Sequence, residues 1–480
     1  MEKILNYING VLTEPIEGKF FDTINPAIGK PYALVSDSDK ADLATAAEAA
    51  LMAFPKWSAT PARDRSTVLI KIAELIERDL DKLALAESID QGKPVALAKA
   101  LDIPRAAANI RFYATAILHE SSEAYFTNQE AINYTQHTPV GVVGCISPWN
   151  LPLYLFTWKI APALAAGCTV VAKPSEITPM TAYLFSKLCI EAGLPAGVLN
   201  IVHGVGAKAG QAIVEHPEIK AISFTGGTAT GKIIAATAGP MFKKLSLELG
   251  GKNPNIIFAD CDFEKAVATS IQSSFSNQGE ICLCGSRIVV ERPLYEKFVA
   301  AFKVRTQALV VGDPLDEKTN LGAIASAAHL NKVLSYIELA KKEGGTIIQG
   351  GKQVKLSGRC AAGYFIEPTI ITGLSYTCRT NQEEIFGPVV TLQSFKTEEE
   401  ALRLANATQY GLAATVWTQD ISKANRVAAK VESGIIWINC WLLRDLRTPF
   451  GGMKNSGVGR EGGWEALRFF TETKNVCVQL

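Results

Sequence analysis

Histidine is scarce in this chain, with five in 480 residues, and none sits at a ligand-like spacing from the paired thiols described below. A zinc site usually takes four nitrogen or sulfur ligands, so no metal centre is expected. Charge of one sign is lacking too. Lysine plus arginine number 48 against 47 aspartate plus glutamate, which argues against nucleic acid or an anionic membrane as partner. No apolar run approaches the roughly 20 residues needed to span a bilayer. The opening MEKILNYING lacks the apolar core of a signal peptide. A cytoplasmic protein is expected, in which the ten scattered cysteines stay reduced.

The 48% apolar content and the length suit a globular chain of two or three domains. Strand and helix patterns alternate almost throughout. RDRSTVLIKIAELIERDL sets Val68, Leu69, Ile72, Leu75 and Ile76 on one helical face. VGVVGCISP, TVVAK, VLNIVHG and AISFTG read as buried strands, and MTAYLFSKLCIEAG as a helix stopped by Gly193 and Pro195. The alternation restarts after about residue 255, with NIIF, SRIVVE, VVTLQSF, LAATVWT and GIIWIN as strands. The economical reading is two α/β units with parallel sheets covered on both faces. SEAYFTNQEAINYTQHT looks like a hairpin and NVCVQL like a lone strand. Pairing with another subunit and packing on their own domain are both open for these two.

The stretch SSFSNQGEICLCGSRIVVE carries Cys282 and Cys284 one residue apart. A redox pair is usually C-x-x-C, and this is C-x-C. In an extended chain the two side chains point to opposite faces, so at most one thiol should face a given pocket. One nucleophile and one packed neighbour is the resulting expectation.

Other short motifs are ambiguous singly. AISFTGGTATGK is a strand, a turn and a helix, with Thr225, Gly226 and Gly227 at the helix N-terminus, where free N–H groups favour an anion. A tight turn needing small residues explains it as well. Lys173 and Glu176 end the TVVAK strand, at either a ligand site or a capped loop. Glu248, in an apolar strand before two glycines, is either a base of raised pKa or a salt-bridged structural group. Asn150, in PWN, ends a strand where an amide can donate to an oxyanion.

Taken in order, PWN, KPSE, FTGG, ELGGKNP, NQGEIC, EEIFGPV and PFGGMKNSGVGRE resemble the NAD(P)-dependent aldehyde dehydrogenase superfamily. The resemblance implies a Rossmann-like cofactor domain at 1–118 and 141–250, and a catalytic α/β domain at 251–450. It also implies a β oligomerisation arm at 119–140 and 466–480, in a homodimer or homotetramer. Cys282 then resembles the nucleophile that forms a thiohemiacetal and a thioester. Asn150 and the Cys282 N–H resemble the oxyanion hole, and Glu248 the base that activates water. Trp149, Lys173, Glu176, Thr225, Gly226, Gly227, Glu384 and Phe386 become cofactor contacts. Glu176 favours NAD over NADP because a carboxylate repels a 2′-phosphate, although Lys173 beside it weakens that inference. Gly227 departs from the serine usual there. Relatives that pass the thioester to coenzyme A lack the glutamate, so Glu248 argues for water.

NCWLLRDLRTPFGG crowds Arg444, Asp445 and Arg447 into the region where the family admits substrate. Arginine there favours a substrate bearing a carboxylate. That string and NQGEICLCGSR resemble the muconic semialdehyde dehydrogenases, which act on 2-aminomuconate 6-semialdehyde or 2-hydroxymuconate semialdehyde in aromatic-ring breakdown. Aliphatic or betaine-type aldehydes remain as alternatives. Arg105, in preference to Arg111, is expected as a second carboxylate partner. A salt bridge to Asp445 is the structural alternative for Arg444.

Overall fold

In the computed structural model, which describes all 480 residues, two large and mostly parallel sheets form the frame. Five parallel strands lie at the centre of the eight-stranded sheet, in the order Lys244–Glu248, Ile219–Thr225, Val142–Ile146, Thr169–Lys173, Leu199–Ile201. Gly457–Val458 adds one antiparallel edge, and Asn6–Ile8 with Val11–Thr13 the other. Apolar residues of these strands point to both faces because both faces are covered. Val170 and Ala172 enter one buried cluster and Val171 another.

From Val142–Ile146 the chain winds outward to Leu199–Ile201, then returns on the opposite side with Ile219–Thr225. The strand order therefore reverses between Ile146 and Thr225. A crevice opens beyond the carboxyl ends of strands at such a reversal, and ligands of open α/β sheets bind there.

The seven-stranded sheet has the order Thr346–Gln349, Thr369–Thr372, Val389–Phe395, Arg287–Glu291, Pro254–Ile257, Ala413–Trp417, Ile435–Ile438, and only its first strand is antiparallel. Here too neighbours point apart, Ile257 and Val290 into one cluster and Ile256 and Val289 into another. The helix Phe263–Phe275 between its strands starts at Asp262, whose side chain accepts from the Lys265 N–H. That helix leads into the turn carrying the two thiols.

The hairpin and the tail are one element. Thr471–Gln479 pairs antiparallel along Ala131–Pro139, and Ala124–Thr127 forms the outer edge. The tail strand begins four residues before NVCVQL. Pairing with a segment far back in the chain, rather than local alternation, defines its length. Ala124–Thr127 is exposed throughout. No helix in the protein is long and apolar enough to cross a membrane.

Candidate active site

Cys282 and Cys284 lie in a tight turn, not in extended chain: the Cys284 N–H donates to the Ile281 carbonyl at 3.0 Å. The two thiols still part company. Cys282 lines a cavity on each side of itself, whereas Cys284 is buried and lines neither. Three consecutive carbonyls of the turn are pinned. Asn253 Nδ2 donates to those of Cys282 and Cys284 at 2.7 and 2.8 Å, and Trp441 Nε1 to that of Leu283 at 3.0 Å. Just before the turn, Asn277 and Gln278 hold left-handed φ values of 52° and 56°. Gly279 follows at φ 71°, and a Cβ there would meet the Gly387 carbonyl oxygen at 2.3 Å. The sequence motif is therefore a packed, strained turn that carries one outward thiol. Burial pushes that thiol above its ordinary range, and Glu384 and Glu248 add to the shift.

Asn150 follows the strand Val142–Ile146 and is nearly fully buried. Its Nδ2 donates to the Glu280 carbonyl at 2.9 Å, and its own carbonyl accepts from Lys93 Nζ and Asn277 Nδ2, each at 3.0 Å. An amide nitrogen has two hydrogens, so one remains for a developing oxyanion. The Cys282 N–H likewise has no acceptor in the protein.

On one side of Cys282 a groove of about 600 Å³ follows the crevice between the reversed strands and continues into a chamber of about 230 Å³. Thr225, Gly226 and Gly227 line both, and the Thr225 hydroxyl is buried without a partner. The Gly226 N–H is not free, because it donates to the Glu248 carbonyl at 3.0 Å. The free amides are those that open the helix Thr228–Ala238, capped by Gly227. Gly226 serves by its smallness, since a Cβ there would meet the Phe224 ring at 2.4 Å; a Cβ on Gly227 would meet nothing within 4 Å. Glu176 lies in the groove, its oxygens engaged by Lys173 Nζ at 3.0 Å and the Gly206 N–H at 3.1 Å. Burial raises its pKa, but Lys173 and these bonds outweigh burial and leave it below the ordinary carboxylate range. In the chamber, Trp149 and Phe386 meet edge to face at 5.3 Å, and Glu384 accepts from the Gly251 N–H at 2.8 Å. A dinucleotide fits this set: free helix amides for a pyrophosphate, carboxylates for ribose hydroxyls and an aromatic chamber ending at the thiol.

On the other side of Cys282 lies a smaller, mostly apolar cavity of about 80 Å³. The helix Pro152–Ala166 presents Tyr154 and Trp158 one turn apart toward the two arginines. Arg444 lies 4.1 Å from the Phe450 ring centroid and 5.2 Å from that of Trp158, and its Nη1 donates to the Tyr154 hydroxyl at 2.7 Å. It meets no carboxylate; Asp445 is taken by Arg447 at 2.6 Å. Arg105 stands over Tyr154 at 5.5 Å, with its Nε and one terminal nitrogen buried and unpartnered. Arg111 is elsewhere, paired with Glu77 at the surface. Both oxygens of Glu248 face this cavity without any hydrogen bond. Burial drives the Glu248 carboxyl well above its ordinary range, with Glu461 adding repulsion and Lys159 opposing it. The glycine-rich loop that closes the site comes so near that a Cβ on Gly451 would lie 2.8 Å from Glu248 Oε1.

Residues 13–476 match the family model described as "Aldehyde dehydrogenase family". This chain is an aldehyde dehydrogenase. The 2-aminomuconic semialdehyde dehydrogenase of Danio rerio is 50% identical over 100% of both chains. The 2-hydroxymuconic semialdehyde dehydrogenase of Pseudomonas sp. strain CF600 is 46% identical over 100% of both. The NAD+ complex of an aldehyde dehydrogenase from Bacillus cereus superposes with a TM-score of 0.97 at 42% identity, covering 100% of this chain and 97% of that one. The aldehyde dehydrogenase is thus an oxidoreductase that uses a nicotinamide dinucleotide.

Several residues of the aldehyde dehydrogenase site escape sequence reading. Glu461 accepts from Lys159 Nζ at 2.7 Å and Ser223 Oγ at 3.0 Å, behind Glu248. Asn253 sits inside the quoted ELGGKNP motif, yet its grip on the thiol turn depends on a contact across 29 residues. Lys332 and His329 line the chamber of about 230 Å³ from the helix Ala327–Lys342, which Ser326 caps by accepting from the His329 N–H. The cap pattern was the one available signal for them.

Proposed function

We propose that this aldehyde dehydrogenase oxidises a semialdehyde that carries its own carboxylate, 2-aminomuconate 6-semialdehyde, to the dicarboxylic acid with NAD. The carrying observation is the pair Arg105 and Arg444, two guanidiniums at one small cavity that make no ion pair with any acid of the protein. Half-buried cations without an ion pair leave charge unmet, and a substrate carboxylate supplies what is missing. A quaternary ammonium of a betaine-type aldehyde would be repelled there. The relatives in Danio rerio and Pseudomonas support the muconic skeleton, and 2-hydroxymuconate semialdehyde, changed only at the 2-substituent, is the second reading.

The chemistry follows from the placement of the residues. The Cys282 thiol is protonated at neutral pH, and Glu248, lining the same cavity, is the available acceptor of its proton. Sulfur attacks the aldehyde carbon, and the carbonyl electron pair moves to oxygen between Asn150 Nδ2 and the Cys282 N–H. When bound, the nicotinamide supplies the hydride acceptor that converts this adduct to a thioester. Glu248 passes the thiol's proton on to solvent, then takes a proton from water as the oxygen attacks the thioester and returns it to the departing sulfur, releasing the acid and the thiol.

NAD rather than NADP is proposed because Glu176 stays charged while the Lys173 ammonium is already engaged by Glu176 and the Pro174 carbonyl. We assign cofactor binding to residues 1–118 and 141–250, catalysis to 251–450, and assembly as a homodimer or homotetramer to 119–140 and 466–480. The exposed Phe126 and Tyr125 on the outer strand of the small sheet support the last assignment. The test is NADH formation with carboxylated and methyl-ended aldehydes. Arg444→Ala should cost about 1.5–3 kcal/mol in kcat/KM for carboxylated substrates and far less for the others. An equal loss on both would sink the carboxylate reading.

A further inference from the structure

Arg444 and Cys282 belong to different segments, yet the distance between them is tied by the backbone. The loop carrying Arg444 leaves the strand Ile435–Ile438 and bends at two non-glycine residues of positive φ, Asn439 at 55° and Leu442 at 58°. Left-handed residues of this kind persist only where other contacts hold them. Two indole N–H groups do so here. Trp437 Nε1 donates to the Leu443 carbonyl at 2.9 Å, next to Arg444, and Trp441 Nε1 donates to the Leu283 carbonyl at 3.0 Å, next to Cys282. The far ends are fixed as well. Asn253 holds the carbonyls on either side of Leu283, and Arg444 lies on Phe450 with its guanidinium bonded to Tyr154. No other side chain of the loop reaches the thiol turn by a hydrogen bond.

We infer that Trp441, with Trp437 behind it, sets the spacing between the carboxylate anchor Arg444 and the sulfur of Cys282, and so selects substrates by the number of carbons between carboxylate and aldehyde. Trp441 is a positioning residue and touches neither substrate nor cofactor. The inference rests on the reading of Arg444 as the carboxylate partner. A rigid cavity of about 80 Å³ with an anchor at one point and a nucleophile at another admits one chain length best. Once the indole bond is gone, the loop shifts relative to the thiol turn and neighbouring lengths are accepted more evenly.

The test is a length series: succinic, glutaric and adipic semialdehyde beside butanal, pentanal and hexanal, with unmodified protein, Trp441→Phe, Trp437→Phe and Arg444→Ala. Phenylalanine keeps the bulk and removes only the N–H donor. Loss of one hydrogen bond should flatten the spread of kcat/KM across the three semialdehydes by about three- to tenfold. Any loss on the methyl-ended aldehydes should be the same at all three lengths. A role confined to folding would lower every rate together and leave the spread intact, which would overturn the inference. Should Trp441→Phe not fold, Trp437→Phe carries the test alone. An unchanged spread beside a lost carboxylate preference in Arg444→Ala overturns the spacing role only. Absence of any carboxylate preference in the unmodified protein overturns both this role and the reading beneath it.

Discussion

The two sides of Cys282 are built on opposite plans. On the groove side, the walls are backbone amides, small residues and charges already paired, such as Glu176 with Lys173. On the opposite side, the cavity is smaller, more apolar and left with unmet charge: Arg105 nitrogens and both Glu248 oxygens have no partner. Buried polar atoms in folded proteins are nearly always satisfied, so a cluster of exceptions marks where a ligand or a reaction completes the structure. On the groove side the Thr225 hydroxyl and the helix amides are open, but Glu176 and Glu384 are hydrogen-bonded, and charges engaged in this way suit a cradle for a constant molecule. Unsatisfied ones describe the variable partner.

The sharpest way to break this contrast is to remove its pivot. Cys282→Ala should lower turnover by roughly a thousandfold or more while NAD still binds, as read by NADH formation and by NAD-dependent quenching of tryptophan fluorescence. Residual turnover near the unmodified rate would dissolve the division at that sulfur. Next comes the unmet acid. Glu248→Gln should slow the first round of NADH release and slow hydrolysis further, so that a thioester accumulates and is visible by intact mass, with steady turnover down about 10²–10⁴-fold. Its pKa also sets a sign. Because the carboxyl is raised and acts as the carboxylate, turnover should rise with pH through a value well above the ordinary carboxylate range. That acid limb should be missing in Glu248→Gln.

On the paired side the effects should be smaller. Glu176→Gln should narrow the kcat/KM preference for NAD over NADP by about tenfold, the loss of one charged interaction. No change with either cofactor would remove Glu176 from the cradle. Cys284→Ser should be the mildest, changing turnover by less than about threefold, since Cys284 lines neither cavity. An inactive Cys284→Ser protein would return both thiols to the chemistry.

Much of this arrangement was readable along the chain, for a physical reason. Buried parallel strands are apolar runs bounded by glycine and proline, and their bounds in the structure lie within a few residues of the runs, as at Thr169–Lys173 and Val389–Phe395. PWN, KPSE, FTGG and ELGG lie at or just past the carboxyl ends of strands of the eight-stranded sheet, whereas NQGEIC and EEIFGPV precede strands of the seven-stranded one. The conformation at the thiols was not readable. The segment is a turn held by Asn253 and Trp441, so the argument from an extended chain reached the right separation through the wrong geometry. The tail strand also needed its partner to show where it begins.

Local pattern along the chain gives which groups exist and where on the alternating elements they stand: a thiol after a glycine, a glutamate in an apolar strand, arginines near the last glycine-rich loop. These are consequences of local periodicity and turn chemistry. Only the tertiary structure decided which charges are spent. Asp445 closes on Arg447 and leaves Arg444 to the cavity, Glu77 takes Arg111 and leaves Arg105, and the Glu248 carbonyl takes the Gly226 N–H. The Glu77–Arg111 pairing spans 34 residues, and which side chains arrive within hydrogen-bond reach from separate segments is encoded by no local pattern.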